Sequence, residues 1–407
     1  MYTRNIKNYL LDLMNKYPAV AIIGARQVGK TTLARQVAPG FLYLDLERPA
    51  AYDRLAQDPD FFFKQHPNNV IFDEAQELPA LFSTLRGVID DDRHRMGRFI
   101  LTGSSSPQLL ENISETLAGR IAIIQLGTLK ANEYYEQPLS PFYEMFKKPL
   151  GKEAVKLMKP PRSLQEMQYF WFKGGYPEIL GKSDSFCKEW MIDYESTYLN
   201  RDVAKLFPKL DKIAYRRFIS MLGKLSSKIL NKSEIARSVG VSEPTIRQYL
   251  EIVQGTFAWR LLPSFENGIT KSVVKMPRGH IRDSGLLHYL LRLYSLETLQ
   301  EDPIAGFSFE AFIIEEILKG LQDAGIRGVD TYYYRTRGGS EIDLILQGTF
   351  GLIPIEIKYG VTVLNRQLKS LNDFVITHQL PFAMVISQHE EMRWINERIL
   401  HVPAGCL

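Results

Sequence analysis

Short apolar runs alternate with amphipathic stretches through the first third of the chain. The opening MYTRNIKNYLLDLMNKYPAV places polar and apolar residues at helical spacing. Ala19–Gly24 (AVAIIG) is apolar, too short for a helix and bounded by a turn, which predicts a buried strand. Apolar runs at Val70-Ile-Phe, Phe99-Ile-Leu and Ile121-Ala-Ile-Ile predict further strands, and strands alternating with helices within 130 residues imply a mostly parallel sheet covered on both faces. From about Lys130 the periodicity becomes helical, broken by Pro138, Pro141 and the Lys159-Pro-Pro161 linker. The aromatic stretch Tyr169–Pro177 has the spacing of core residues. Farther on, an acid-rich helix around Phe309–Glu316 precedes three strand-like runs, Thr331–Arg335, Glu341–Leu346 and Leu352–Lys358.

Between these regions, Asn231–Gly255 carries a small residue, a glycine and a branched apolar residue in order: Ala236, Gly240 and Ile246. A small residue lets a second helix approach, glycine makes the tight turn, and the branched residue locks the pair. Ser242 suits an N-cap and Pro244 a first helical turn. Thr256–Phe265, an Asn267-Gly268 turn and Ile269–Lys275 then read as a β-hairpin, which makes the segment a winged helix-turn-helix. In versions that bind DNA, the second helix enters the major groove by its N-terminal residues, here Thr245, Arg247 and Gln248 beside Glu243, with Lys232, Lys271 and Lys275 flanking them. Winged helices also serve as protein docks and structural lids.

Chemistry first enters at Gly24-Ala25-Arg26-Gln27-Val28-Gly29-Lys30-Thr31-Thr32, a G-x-x-x-x-G-K-T loop between a strand and a helix. Its backbone N–H groups and the helix N-terminus suit phosphates, Lys30 suits the β- and γ-phosphates, and Thr31 suits Mg²⁺. A strand ending in Asp73-Glu74 supplies the acidic half of such a site, Asp73 for Mg²⁺ and Glu74 for the attacking water. The strand Phe99–Ser105 ends in small hydroxyls, Ser104 and Ser105, either of which could sense the γ-phosphate.

The net charge of +4 over 407 residues says little. Its distribution says more: from Arg201 to His280, Lys and Arg number 15 against 6 acids. Such a segment suggests a face for a polyanion, or a solvated surface whose charges are offset in three dimensions. Two cysteines exclude a disulfide framework, the scattered histidines give zinc no support, and no apolar stretch is long enough for a membrane span or a signal peptide. The expectation is a cytoplasmic protein with no membrane partner.

The motifs Gly24–Thr32, Val70–Gln76, Leu101–Ser105, Ser114–Arg120, Gly174–Glu178 and Gly339–Lys358 together resemble the prokaryotic AAA+ ATPases that carry a C-terminal domain of unknown function with a nuclease-like core. The resemblance implies an α/β fold in four parts: a P-loop ATPase core over 1–130, a helical lid over 131–210, the winged helix over 211–278 and the nuclease-like domain over 279–407. It implies ATP as the nucleotide, a ring-like homo-oligomer, and Arg120 as a finger toward a neighbouring subunit's γ-phosphate. Arg120 could instead cap its helix or pair with Glu115.

Asp343, Glu356 and Lys358 resemble the D…E-x-K layout of PD-(D/E)xK nucleases, with Glu310 as an added metal ligand and Gln367 as a further polar position. In that superfamily the carboxylates hold Mg²⁺ and the lysine assists the attacking hydroxide. The same residues could form an idle charge cluster, such as an Asp343–Lys358 pair. Two functions follow: a Mg²⁺-dependent ATPase acting on DNA, with cleavage as a further step, or a nucleotide-dependent switch or scaffold without action on DNA.

Overall fold

A computed structural model describes residues 2–104, 113, 115–204, 207, 210–266, 275–364 and 368–407, with the backbone alone at Ser104, Asn200, Arg201 and Asp202. The chain divides into two compact units, Met1–Leu129 with Gly255–Phe257, and Lys130–Gln254 with Ala258–Leu407.

In the first unit β1 (Ala19–Gly24), β2 (Leu42–Asp45), β3 (Val70–Asp73), β4 (Phe99–Ser104) and β5 (Ile121–Gln125) form one sheet in the order β2–β3–β4–β1–β5. All neighbours are parallel. β1 is buried along its whole length between β4 and β5, which is why its sequence is continuously apolar rather than alternating. Phe62, Phe63, Phe72 and Phe99 pack edge-on or tilted at centroid distances of 5.3–6.4 Å, with Leu81, Leu85 and Ile89 of the helix Ala80–Asp91 in the same core. Each such side chain contributes about 1.5–3 kcal/mol on burial. This packing holds the parallel strands so that their C-terminal ends, where Gly24 and Asp73 lie, open on one edge.

The second unit contains two sheets. β6 (Lys228–Ile229), β7 (Trp259–Leu262) and β8 (Arg278–Ile281) are antiparallel in the order β6–β8–β7. The helix Lys212–Lys224 precedes β6, and the helices Lys232–Val239 and Glu243–Gly255 lie between β6 and β7. Asn231 caps the first of this pair, Gly240 ends it in a left-handed turn, Ser242 accepts from the Thr245 N–H at 3.3 Å, and Ile246 is fully buried. The strand opposite β7 is β8, beyond the expected hairpin arm Ile269–Lys275, of which all but Lys275 lies outside the described residues. β8 escapes an apolar-pattern reading because Arg278 and His280 are buried in it.

The larger sheet comprises β9 (Asp330–Arg335), β10 (Glu341–Gly348), β11 (Gly351–Lys358), β12 (Ala383–Ser387), β13 (Arg393–Asn396) and β14 (Ile399–Pro403), in the order β13–β14–β12–β11–β10–β9. β9–β10–β11 are antiparallel and β11–β12–β14 parallel. The chain after β7 continues along β9, with Phe265 N–H donating to the Tyr333 carbonyl at 2.7 Å. Asp283 joins the Gly174–Glu178 turn to the helix Ser284–Leu290, accepting from the N–H groups of Gly175 at 2.8 Å and Leu286 at 3.0 Å. Among the described residues no helix is long and apolar enough to cross a membrane.

The 19-residue helix Ala305–Asp323 is mostly buried, and its interior face includes Glu310, Glu315 and Glu316. Lys130, 1% exposed, lies 3.2 Å from Glu316 and donates to Tyr143 Oη at 3.0 Å. Lys319 binds the other Glu316 oxygen at 2.7 Å. Burial alone would raise the Glu316 carboxyl, but Lys130 and Lys319 outweigh it and bring it down to about 2. Removing one partner of a buried pair leaves an uncompensated charge, so Lys130→Met is expected to cost about 3–5 kcal/mol in denaturant unfolding. The stability from the lowered Glu316 pKa is present above its unfolded value of 4.5 and is lost as pH falls toward about 2. A Glu316→Gln variant should show a flatter loss over that range in thermal melts.

Candidate functional site

The phosphate-type loop follows β1. Gly29 caps the helix Lys30–Val37 at φ +95°, a left-handed conformation that a side chain would strain. Gly24 faces a close backbone approach: a Cβ there would sit 2.2 Å from the Leu126 carbonyl oxygen. Ala25 and Val28 are buried, Arg26 and Thr32 half-buried, and Gln27 exposed at φ +60°. The buried Lys30 ammonium donates to the carbonyls of Gly24 at 3.1 Å and Ala25 at 2.9 Å, so it lies over the loop. Arg4, which sequence patterning did not single out, donates to the Val28 carbonyl at 2.8 Å and the Gly127 carbonyl at 2.9 Å, tying the loop to the exit of β5.

Asp73, at the end of β3, receives three hydroxyls. Thr31 Oγ1 lies 3.0 and 2.9 Å from its two oxygens, Tyr43 Oη donates to Oδ2 at 2.5 Å, and Thr102 Oγ1 donates to Oδ1. Burial, reinforced by the bond to Asp73, raises the Tyr43 phenol above its ordinary range. The Arg35 guanidinium stacks 3.7 Å from the Tyr43 ring centre. Glu74 adopts a left-handed backbone at φ +54°, and its carboxylate accepts from the Gln76 amide at 2.5 Å. Tyr43 and Thr102 were not singled out from sequence. The polar threonine inside the apolar strand FILTGS was the available signal, but its meeting with Asp73 depends on the β3–β4 register. The Ser104 side chain lies outside the described residues.

Thr31 and Asp73 present adjacent oxygens, the hard donors that Mg²⁺ prefers, and the residues fit that ion. Arg120 stands at the opposite ends of the strands, just before β5, and pairs with both Asp90 oxygens at 2.8 Å rather than with Glu115. The hydrogen bonds that Arg120 donates hold the Asp90 carboxyl below the usual range. β1 spans 6 residues, so Arg120 and the loop are separated by about 20 Å of strand.

In the second unit Arg247 and Gln248 are exposed and Thr245 is half-buried on the helix Glu243–Gly255. Arg247 pairs with Glu243 at 2.7 Å, and Lys275 pairs with Glu266 at 3.2 Å. Lys271 lies outside the described residues. Part of the basic segment is therefore offset locally. Two further cations are internal: Arg278 is buried, and Arg260 binds Glu315, a carboxylate shared with His280 at 3.1 Å and Arg282 at 3.2 Å. Burial alone would raise Glu315, but Arg260 and Arg282 hold it well below the usual range.

Glu310, Asp343, Glu356 and Lys358 also come together in this unit. Asp343 accepts from the Ile357 N–H at 2.8 Å, across the β10–β11 hairpin, and Lys358 binds Glu356 at 2.5 Å. Arg278 of β8 enters the same cluster, with Nη2 2.8 Å from Glu310 and Nη1 3.0 Å from Glu341 and 3.7 Å from Asp343. Burial, then Asp343, pushes Glu356 up to about 8 against the pull of Lys358. Glu310 is raised by burial despite Arg278. The divalent ion implied by the nuclease resemblance does not fit these side chains as placed. A guanidinium bridges the carboxylates, and among the described residues no three Asp, Glu, His or Cys side chains are grouped to hold a metal. Gln367 lies outside the described residues.

Residues 16–135 match the family described as AAA domain, residues 164–297 a domain of unknown function (DUF8612), and residues 305–407 a domain of unknown function (DUF4143). The chain is similar to the uncharacterized proteins Rv2008c of Mycobacterium tuberculosis and Mb2031c of Mycobacterium bovis. Each is 30% identical over 397 residues, covering 96% of this chain and 81% of the relative. Among solved structures, the RuvB Holliday junction branch migration motor of Thermotoga maritima is 17% identical over 63% of this chain and 88% of that one, with a TM-score of 0.30. AMPPCP-bound DnaA of Aquifex aeolicus is 14% identical over 61% and 85%, with a TM-score of 0.25.

The approach of Leu126 to Gly24 has a measurable consequence. Gly24→Ala is expected to destabilise the first unit by about 1–3 kcal/mol through overpacking against backbone. It should also weaken binding of a fluorescent ATP analogue, measured by titration beside a thermal melt.

Proposed function

The chain belongs with the two mycobacterial proteins to a family of P-loop AAA+ ATPases whose AAA domain is followed by a DUF4143 domain, and from that premise we propose that it hydrolyses ATP with Mg²⁺ to act on DNA. The observation that carries the hydrolysis is the convergence of Lys30, Thr31, Asp73 and Glu74 at the open ends of a parallel sheet.

Phosphate oxygens are stronger acceptors than the carbonyls that Lys30 now meets, so the ammonium transfers to the β- and γ-phosphates as they enter. The N–H groups of Arg26–Thr32 and the start of the helix Lys30–Val37 cradle the same anion. Thr31 and Asp73 would hold Mg²⁺, which would neutralise charge on the transferring phosphoryl group. Glu74 orients the attacking water, its carboxylate steadied by Gln76. Arg120 cannot serve the loop of its own chain across the length of β1. It acts in trans, in a ring-like homo-oligomer, after exchanging Asp90 for the neighbour's phosphate.

On this reading the segment 211–278 is a winged helix whose last strand, β8, runs on to Ile281, as the order of helix, strand, two helices and two strands supports. Its half-buried Thr245 and exposed Arg247 and Gln248 meet DNA. Arg247 exchanges its exposed bond to Glu243 for a phosphate or base edge at little cost, since such surface pairs contribute only about 0.3–0.5 kcal/mol. A specific observation favours a second reading, a nucleotide-dependent switch or scaffold: Arg260 and Arg278 of the basic segment are spent on internal carboxylates.

ATP turnover measured with single-stranded, duplex and branched DNA separates the two. Stimulation by DNA that falls steeply with salt is expected for action on DNA. A rate indifferent to every DNA, with no DNA binding, favours the switch. Lys30→Ala should abolish ATP binding, whereas Arg120→Ala should reduce turnover by about 10³-fold or more while ATP still binds. Normal turnover in Arg120→Ala removes the finger assignment.

A further inference from the structure

We propose that Arg278 is the resident cation of the acidic cluster on the β10–β11 hairpin, and that its guanidinium closes to divalent metal a site the carboxylates would otherwise form. The strand β8 presents alternate residues to one side, and on that side Arg278 meets Glu310 while His280 meets Glu315. Arg282 continues the pattern onto Glu315. Arg278 is 3% exposed, and each of Glu310, Asp343 and Glu356 is 7% exposed. Buried carboxylates in such numbers require compensation, because an unpaired buried charge costs several kcal/mol.

The geometry shows which cation supplies it. Nη2 of Arg278 binds Glu310 and the Ser227 carbonyl, while Nη1 faces Glu341 and Asp343. One planar group thus reaches three carboxylates and holds them apart, whereas a divalent ion would draw their oxygens to within about 2.0–2.6 Å of one centre. The site retains features suited to that ion. Asp343 is fixed by the Ile357 N–H, Glu356 stands on the adjacent strand, and Lys358 is beside it. Among the described residues Oε2 of Glu356 has no hydrogen-bond partner, and Nη1 of Arg278 has carboxylates beside it without a well-directed hydrogen bond to them. They mark a cluster in which a cation of different geometry is accommodated by hydrogen bonds left incomplete.

Removing the guanidinium leaves carboxylates that either take a new cation or destabilise the sheet. The experiment is Mn²⁺ binding to the full-length, nucleotide-free chain, followed by electron paramagnetic resonance. The wild type is expected to show no stoichiometric binding that depends on Asp343. Arg278→Ala should gain stoichiometric binding, and the double variant Arg278→Ala/Asp343→Asn should lose it, which separates this cluster from the ATP site. Arg278→Gln, which retains an N–H donor for Glu310 but no charge, gives the same test if the alanine variant does not fold. Mn²⁺ binding by the wild type that disappears in Asp343→Asn overturns the proposal. So does a folded Arg278 variant, verified by circular dichroism, that acquires no Mn²⁺ at all.

Discussion

The helix Ala305–Asp323 carries three carboxylates into the interior, and each draws a cation from a distant part of the chain. Glu310 meets Arg278, Glu315 meets Arg260, His280 and Arg282, and Glu316 meets Lys130 and Lys319. An uncompensated charge there costs about 3–5 kcal/mol, a large share of the roughly 5–15 kcal/mol by which a domain is stable. The three-stranded sheet must therefore lie where β7 and β8 can supply their arginines. The same requirement holds Lys130, at the start of this unit, against the helix almost two hundred positions later. Hydrophobic burial stabilises the unit without specifying direction; these pairs specify which strand faces which turn of the helix.

The two acidic centres of the chain are satisfied in opposite ways. Asp73 receives neutral hydroxyls from Thr31, Tyr43 and Thr102. These steady its position and leave its charge for an incoming cation. The Glu310–Asp343–Glu356 cluster receives two cations, Arg278 and Lys358. Similar residue types thus produce a carboxylate held by neutral hydroxyls in one unit and an ion-paired interior in the other. The deciding factor is the charge of the neighbours, not the identity of the acids.

Much of the first centre could be read from spacing alone. The G-x-x-x-x-G-K-T loop, the apolar strand ending in Asp73-Glu74 and the alternation of strands and helices are local features, each encoded within a few residues. The Asn231–Gly255 helix pair was legible for the same reason, since its cap, turn and locking residue fall within one short segment. Tyr43, Thr102 and Arg4 were not legible, because their roles depend on strand register and on a backbone contact between distant segments. Charge was legible only in part. A surplus of cations in 201–280 suggested a surface for a polyanion, yet Arg260 and Arg278 face inward.

The sequence by itself determined the elements whose physics is local: a phosphate-binding loop, a β-rich parallel core, capped helices and a strand bearing Glu356 and Lys358. Only the tertiary structure decided which charges meet. It brought Arg278 into the acidic cluster from outside the D…E-x-K pattern and turned Arg120 onto Asp90. Electrostatic energy depends on separation in space and on burial, and neither quantity is written along the chain. A motif can therefore name the carboxylates of a site, but the fold selects the cation that occupies them.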